Sequence, residues 1–195
     1  STSAAAVTLP AAPMPVVEPE SDPLVRYSVS IGAFRDRARA MALLGQLQSE
    51  APRVWMTIVP VDVYGIVFHR VLVGFADHPG FLDPVIDMVS MALGENPESW
   101  ILRDAAFTLC VSEASSVADA ETVMERMAAH DILPFSLRSM EGSVRVCAGA
   151  FARAEEADHL RSTLVAAGFA PDLTPPLGDP KLWISTGWNE MPVKG

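Results

Sequence analysis

Apolar and polar residues alternate with a period of two through Tyr27-Ser28-Val29-Ser30-Ile31, and again from Val144 through Val146 to Ala148. Such a period turns one side of a strand toward a core and the other side away from it. Each run ends in Gly-Ala-Phe, at Gly32-Ala33-Phe34 and at Gly149-Ala150-Phe151. Each then passes into apolar residues at helical spacing: Ala40, Leu43 and Leu47 after the first, Ala157, Leu160 and Leu164 after the second. The phrase predicts a half-buried strand, a backbone turn at glycine, a buried aromatic ring and an amphipathic helix.

The same periodicities place strands over 27–34, 54–61, 66–75 and 99–103, with helices over 36–49 and 80–93. Pro84 must fall in a first turn, which moves the second helix start toward Asp83. The order then begins again. Strands are predicted over 107–112, 132–138, 143–151 and 169–174, with a helix from its cap Ser116 to 130 and another over 153–167, stopped by Gly168. Pro60 marks the end of its strand or an edge position, and Pro134 requires an edge strand. A shift of 80 residues carries Tyr27 onto Phe107, and one of 75 carries Gly74 onto Gly149. The chain therefore reads βαββαβ twice. The expected fold is α+β: two tandem ferredoxin-like units, each a four-stranded antiparallel sheet with two helices on one face and the other face open. The expected organisation is a Pro/Ala-rich linker or tail at 1–25, units at 26–104 and 105–176, and a tail at 177–195. Trp183 and Trp188 in that tail either cover a core edge or form an exposed partner contact.

Strand parity turns Tyr27, Val29, Ile31, Val71 and Val73 toward the helices. Ser28, Ser30, Arg70 and Leu72 then point to the open face of the first unit, and Thr108, Cys110, Arg145 and Cys147 to that of the second. Arg70 would lie near Ser28 and Ser30, and Arg145 near Thr108 and Cys110. An arginine in an otherwise acidic domain suits a carboxylate; the plainer reading is a solvated arginine balanced by acidic neighbours. Cys110 and Cys147 are either two small buried thiols or, if directly opposite, a cross-strand disulfide that implies an oxidising compartment.

Composition narrows the function. Half the residues are apolar and the formal net charge is −10. No segment is basic, which argues against nucleic acid or an anionic membrane as a partner. No run of about 18 apolar residues exists, so no membrane insertion by this segment is expected. The chain begins at Ser1 with no visible signal peptide or anchor; it is either a cytosolic chain lacking its methionine or the product of processing or truncation. The histidines His69, His78, His130 and His159 are scattered, with no pair at metal-ligand spacing. No nucleophile elbow, phosphate loop or dinucleotide fingerprint occurs, and Glu155-Glu156 reads as a solvated helix face. No catalytic residue, metal or cofactor is expected.

The arrangement resembles the SPOR domain, the sporulation-related repeat of bacterial envelope proteins. The carrying residues are Tyr27 to Phe34 with Ala40 and Leu43, which look like the family's opening strand and helix. Arg145 to Phe151 with Glu155, Glu156, Ala157 and Leu160 look like its third strand and second helix, and Val71-Leu72-Val73-Gly74-Phe75 like the same strand in the first unit. The resemblance covers about 27–175 as two tandem, divergent copies. It implies binding rather than catalysis: recognition of peptidoglycan glycan strands stripped of stem peptides, in the periplasm or cell envelope, at the division site. The implied glycan-binding face is Ser28, Ser30, Arg70, Leu72, Thr108 and Arg145. The alternative is a structural adaptor that uses the same fold to bind protein partners of an envelope complex, with two units packed so as to bury an open face.

Overall fold

The computed structural model describes residues 24–184 and 187–188, with 181–184 and 187–188 described by backbone alone. The Pro-rich segment 1–23 lies outside the described residues. In chain order the elements are β1 (Tyr27–Phe34), α1 (Arg37–Glu50), β2 (Met56–Val63), β3 (Ile66–Ala76), α2 (Asp83–Leu93), β4 (Ile101–Asp104), β5 (Phe107–Ala114) and α3 (Val117–Ala128). There follow β6 (Pro134–Arg138), β7 (Val144–Phe151), α4 (Asp158–Ala166), β8 (Asp172–Thr174), β9 (Asp179–Ile184) and β10 (Gly187–Trp188). Short 3-10 turns at Pro79–Leu82 and Ala154–Ala157 lead into α2 and α4. The fold is α+β, with four α-helices among the described residues and antiparallel sheets.

Local chemistry explains the boundaries. Asp36 caps α1 by accepting from the Ala38 N–H, and Ser116 caps α3 by accepting from the Asp119 N–H. Pro79 and Pro84 each sit at the start of a helical turn, where a missing N–H costs nothing, so the 3-10 turn and α2 follow in succession. The chain between β2 and β3 reverses at Tyr64 and Gly65, both with positive φ.

The first sheet has the order β2-β3-β1-β4. The second repeats that order as β6-β7-β5-β8 and adds β9 and β10 outside β6. Pro60 lies within the edge strand β2. Pro134 does not lie in an edge strand, because β9 pairs with β6 from Phe135 to Arg138. It is tolerated as the first residue of β6, opposite Ala148 of β7 and one residue before the pairing with β9 begins. The tail after 176 thus begins with a strand of the second sheet, which its sequence period does not announce. The N-terminal boundary also moves: Leu24 bridges to Leu177, the Val25 N–H donates to the Pro176 carbonyl, and Val25 is buried.

Both sheets carry the same irregularity. β1 and β3 slip register between Tyr27 and Val29, and β5 and β7 slip between Phe107 and Leu109. Opposite each slip is a glycine of positive φ, Gly74 at 68° and Gly149 at 74°. A hydroxyl from the facing strand donates to each glycine carbonyl, Ser28 Oγ at 2.6 Å and Thr108 Oγ1 at 2.7 Å. The bulge leaves that carbonyl outside the ladder, and the hydroxyl satisfies it in a dry place.

Two cores result. Val29, Ala40, Leu44, Leu47, Val71 and Val73 pack between the first sheet and its helices. The other core is continuous from the second half into the opposite side of the first sheet. Val59, Val61, Leu72 and Phe75 join Phe135, Leu137, Cys110 and Cys147 in one cluster. Rings tie the two sides: Trp55 lies 4.8 Å from Phe75 and 5.3 Å from Phe135, and Phe75 lies 5.7 Å from Phe135. The sheet sides that face away from the helices are therefore not open to water. They meet in a shared core, with β2 packed against β7 and α4.

Candidate functional site

Ser28, Ser30, Arg70, Leu72 and Thr108 are all buried; the most exposed of them, Arg70, retains 9% of its surface. The hydroxyls of Ser28 and Thr108 are spent on the bulge carbonyls. Ser30 pairs across the strands with Leu72, and Arg70 sits opposite Ala33, two positions along. Arg145 does not reach toward Thr108 or Cys110. Its guanidinium donates to Thr174 Oγ1 at 3.3 Å, the Pro175 carbonyl at 3.4 Å and the Leu177 carbonyl at 2.9 Å, tying β7 to the chain after β8. The exposure expected from strand parity does not hold for Ser28, Ser30, Arg70, Leu72 and Thr108, because the other half of the molecule covers that side. A signal of this exists in β2. Trp55, Thr57, Val59 and Val61 alternate with Met56, Ile58 and Pro60, so the strand is apolar on both sides, the pattern of a strand buried on both faces.

Arg70 meets Glu156 of the second half, Nη1 to Oε1 at 3.9 Å, with both side chains nearly buried. The other carboxylate oxygen accepts the Ala152 N–H at 3.0 Å, so one glutamate closes its own helical turn and pairs across the junction. Burial, then the charge of Arg103, holds the Arg70 pKa below its ordinary value, while Glu156 opposes that shift. The guanidinium remains the charged form, since arginine does not release its proton in proteins.

Cys110 and Cys147 face each other directly across β5 and β7 and are joined by a disulfide, S–S 1.99 Å. Trp183 and Trp188 pair through their backbones across β9 and β10, and the ring contacts predicted for them lie outside the described residues.

What the burial leaves is a cleft of about 190 Å³ at the junction of the two halves. Its polar lining is Arg37 at the start of α1, His69 of β3, His130 and Asp131 from the turn after α3, and His159 and Thr163 of α4. Ile58, Pro60, Ile132 and Leu160 supply apolar walls. Arg37 Nη2 donates to the Asp131 carbonyl at 2.8 Å, which fixes the guanidinium at the rim. Burial holds the His69 pKa below its ordinary 6.5, the charges of Arg37 and His159 add to that, and Asp36 opposes it. Sequence reasoning dismissed these histidines as scattered. Only the docking of the halves brings three of the four together.

Among the described residues no group of three or more His, Cys, Asp or Glu side chains is placed to hold a metal ion. No helix among them is long and apolar enough to cross a membrane.

Residues 23–79 match the family model of the SPOR domain, a span running from the chain before β1 to the start of the 3-10 turn that leads into α2. SPOR domains are generally non-catalytic peptidoglycan-binding modules, found in cell-division proteins. No curated protein and no solved structure matches the chain.

Proposed function

We propose that this chain is a non-catalytic module of a bacterial envelope or cell-division protein that binds glycan strands of peptidoglycan stripped of their stem peptides. The observation that carries this reading is the SPOR match over β1, α1, β2 and β3. The chain is read as two tandem βαββαβ units, 26–104 and 105–176, a reading supported by the repeated strand order and by the matched glycine bulges at Gly74 and Gly149. Action in the periplasm or envelope is supported by the Cys110–Cys147 disulfide, since such bonds persist in oxidising compartments.

Co-sedimentation with purified sacculi tests the reading. Sacculi treated with an amidase, which removes stem peptides, are expected to retain the protein about tenfold better than untreated sacculi. That ratio corresponds to about 1.4 kcal/mol of preference for the bare strand. Equal retention on both, or retention on neither, contradicts it.

A second reading, a structural adaptor that binds a protein of an envelope complex, is favoured by one observation: the sheet faces that resemble a ligand surface are consumed in the chain's own core. It predicts co-purification of a stoichiometric protein partner from envelope extracts and no retention on either kind of sacculus.

A further inference from the structure

We propose that the junction cleft, rather than either sheet face, is the ligand site, and that it takes one carboxylate-bearing sugar of a stripped glycan strand; this deepens the peptidoglycan reading and rests on it. A strand stripped of its peptides keeps the lactyl carboxylate of each muramic acid. Recognising it requires a fixed cation, hydrogen-bond donors and an apolar wall for the sugar ring. On the sheet faces Ser28, Ser30, Thr108 and Arg70 are buried, and Arg145 is committed to Thr174, Pro175 and Leu177. The cleft offers all three.

Arg37 sets the ligand's sign. It is the one cation of the lining whose charge does not depend on pH, and His69, His130 and His159 join it from three other elements. The carboxylates beside them are Asp131 in the lining and Asp36 at the α1 cap, the latter engaged with the Ala38 N–H. Arg37 uses one Nη2 donor on the Asp131 carbonyl, so the remaining N–H groups of its fork are free to meet a carboxylate. The size sets the ligand's extent. At about 190 Å³ the cleft is below the roughly 300–1,000 Å³ of sites that enclose drug-sized molecules, so it admits one sugar of a strand and not a run of them.

The site is also a proton-linked one. In the free fold His69 favours its neutral form. Its stabilising effect is present above the unfolded value of 6.5 and is lost as pH falls below that value toward the depressed folded one. A bound carboxylate favours the charged imidazole instead. Binding therefore takes up a proton and tightens as pH falls from about 8 to about 6.

The test follows the histidine ring protons of the full-length protein by NMR across that pH range, with N-acetylmuramic acid or N-acetylglucosamine added. The acidic sugar is expected to raise the titration midpoint of His69, to shift the ring resonances of His159, and to leave the resonances of His78, which lies outside the cleft, unmoved. Its affinity is expected to drop about tenfold at high pH, and about tenfold in Arg37→Gln, the usual weight of a lost charge-assisted bond. The neutral sugar is expected to move none of them. An unmoved His69 midpoint with the acidic sugar, or equal movement with the neutral one, overturns the proposal. Inorganic phosphate acting as strongly as the acidic sugar overturns the sugar assignment and leaves a general anion site. Sacculus retention with unmoved histidines removes the cleft and keeps the glycan reading. Moved histidines without retention remove the glycan reading and keep an acid-binding cleft.

Discussion

Replacing Cys110 and Cys147 together by alanine is expected to lower the unfolding free energy by about 4 kcal/mol, the cost that chain entropy assigns to opening a loop of this length. The two residues are 37 apart in sequence, and the loop they close contains the end of β5, α3, β6 and the first half of β7. Without the bond the unfolded chain regains the freedom of that loop while the folded chain gains nothing. The site magnifies the loss. Cys147 is fully buried and lies in the core shared by the two sheets, beside Phe135, its partner across β6 and β7. Urea denaturation of the wild type and of the double variant, with and without reductant, measures the effect. The wild type in reductant should fall toward the variant, and the variant should not respond to reductant. Coincident midpoints for the oxidised wild type and the variant would remove the bond from the account.

Gly149→Ala is expected to cost about 2–5 kcal/mol, from a left-handed backbone that alanine disfavours and from overpacking. Gly149 has a φ of 74°, and an added methyl would collide with the Phe151 ring and lie 3.0 Å from Leu160. Both neighbours are buried, so neither has anywhere to go. Gly74→Ala meets the same conflict with Leu82, 2.6 Å away at a φ of 68°, and should lose a comparable amount. Gly32→Ala is the control. Gly32 has no positive φ, and its nearest neighbour, the Phe34 ring at 3.0 Å, is only partly buried, so the loss should stay below about 1 kcal/mol. Equal losses at Gly32 and Gly149 would mean that the bulge is not the reason for the glycine. The order of these three midpoints separates the two Gly-Ala-Phe phrases. They look alike in sequence, but Gly149 corresponds in structure to Gly74 and not to Gly32.

That example shows where the sequence was legible and where it was not. The period of two located β1, which spans 27–34 as its alternation predicts. The caps at Asp36 and Ser116 and the stop near Gly168 follow from side-chain chemistry that acts within a few residues. What failed to appear depends on contacts distant in sequence. Whether the side of a sheet bearing Ser28, Arg70 and Thr108 meets water is decided by the other half of the chain. The apolar doubling of β2 was the local trace of that. β9 escaped because Asp179 to Ile184 has no clean alternation and includes Pro180; it exists because β6 presents it an unpaired edge. The cleft escaped for the same reason as the buried faces. Arg37, His69, His130 and His159 are unremarkable singly, and only the packing of β2 against α4 and β7 brings them together.

The central claim is that the two sheets share one core, so that the ligand site belongs to their junction. Calorimetry of the oxidised full-length protein tests this most directly. Trp55, Phe75 and Phe135 lie in that shared core, and Arg70 pairs with Glu156 across it, so neither half should melt without the other. The account predicts a single transition, with a ratio of calorimetric to van't Hoff enthalpy of about 1. Two resolved transitions, or a ratio near 2, would mean that the halves fold independently and that the junction is not a built part of the molecule.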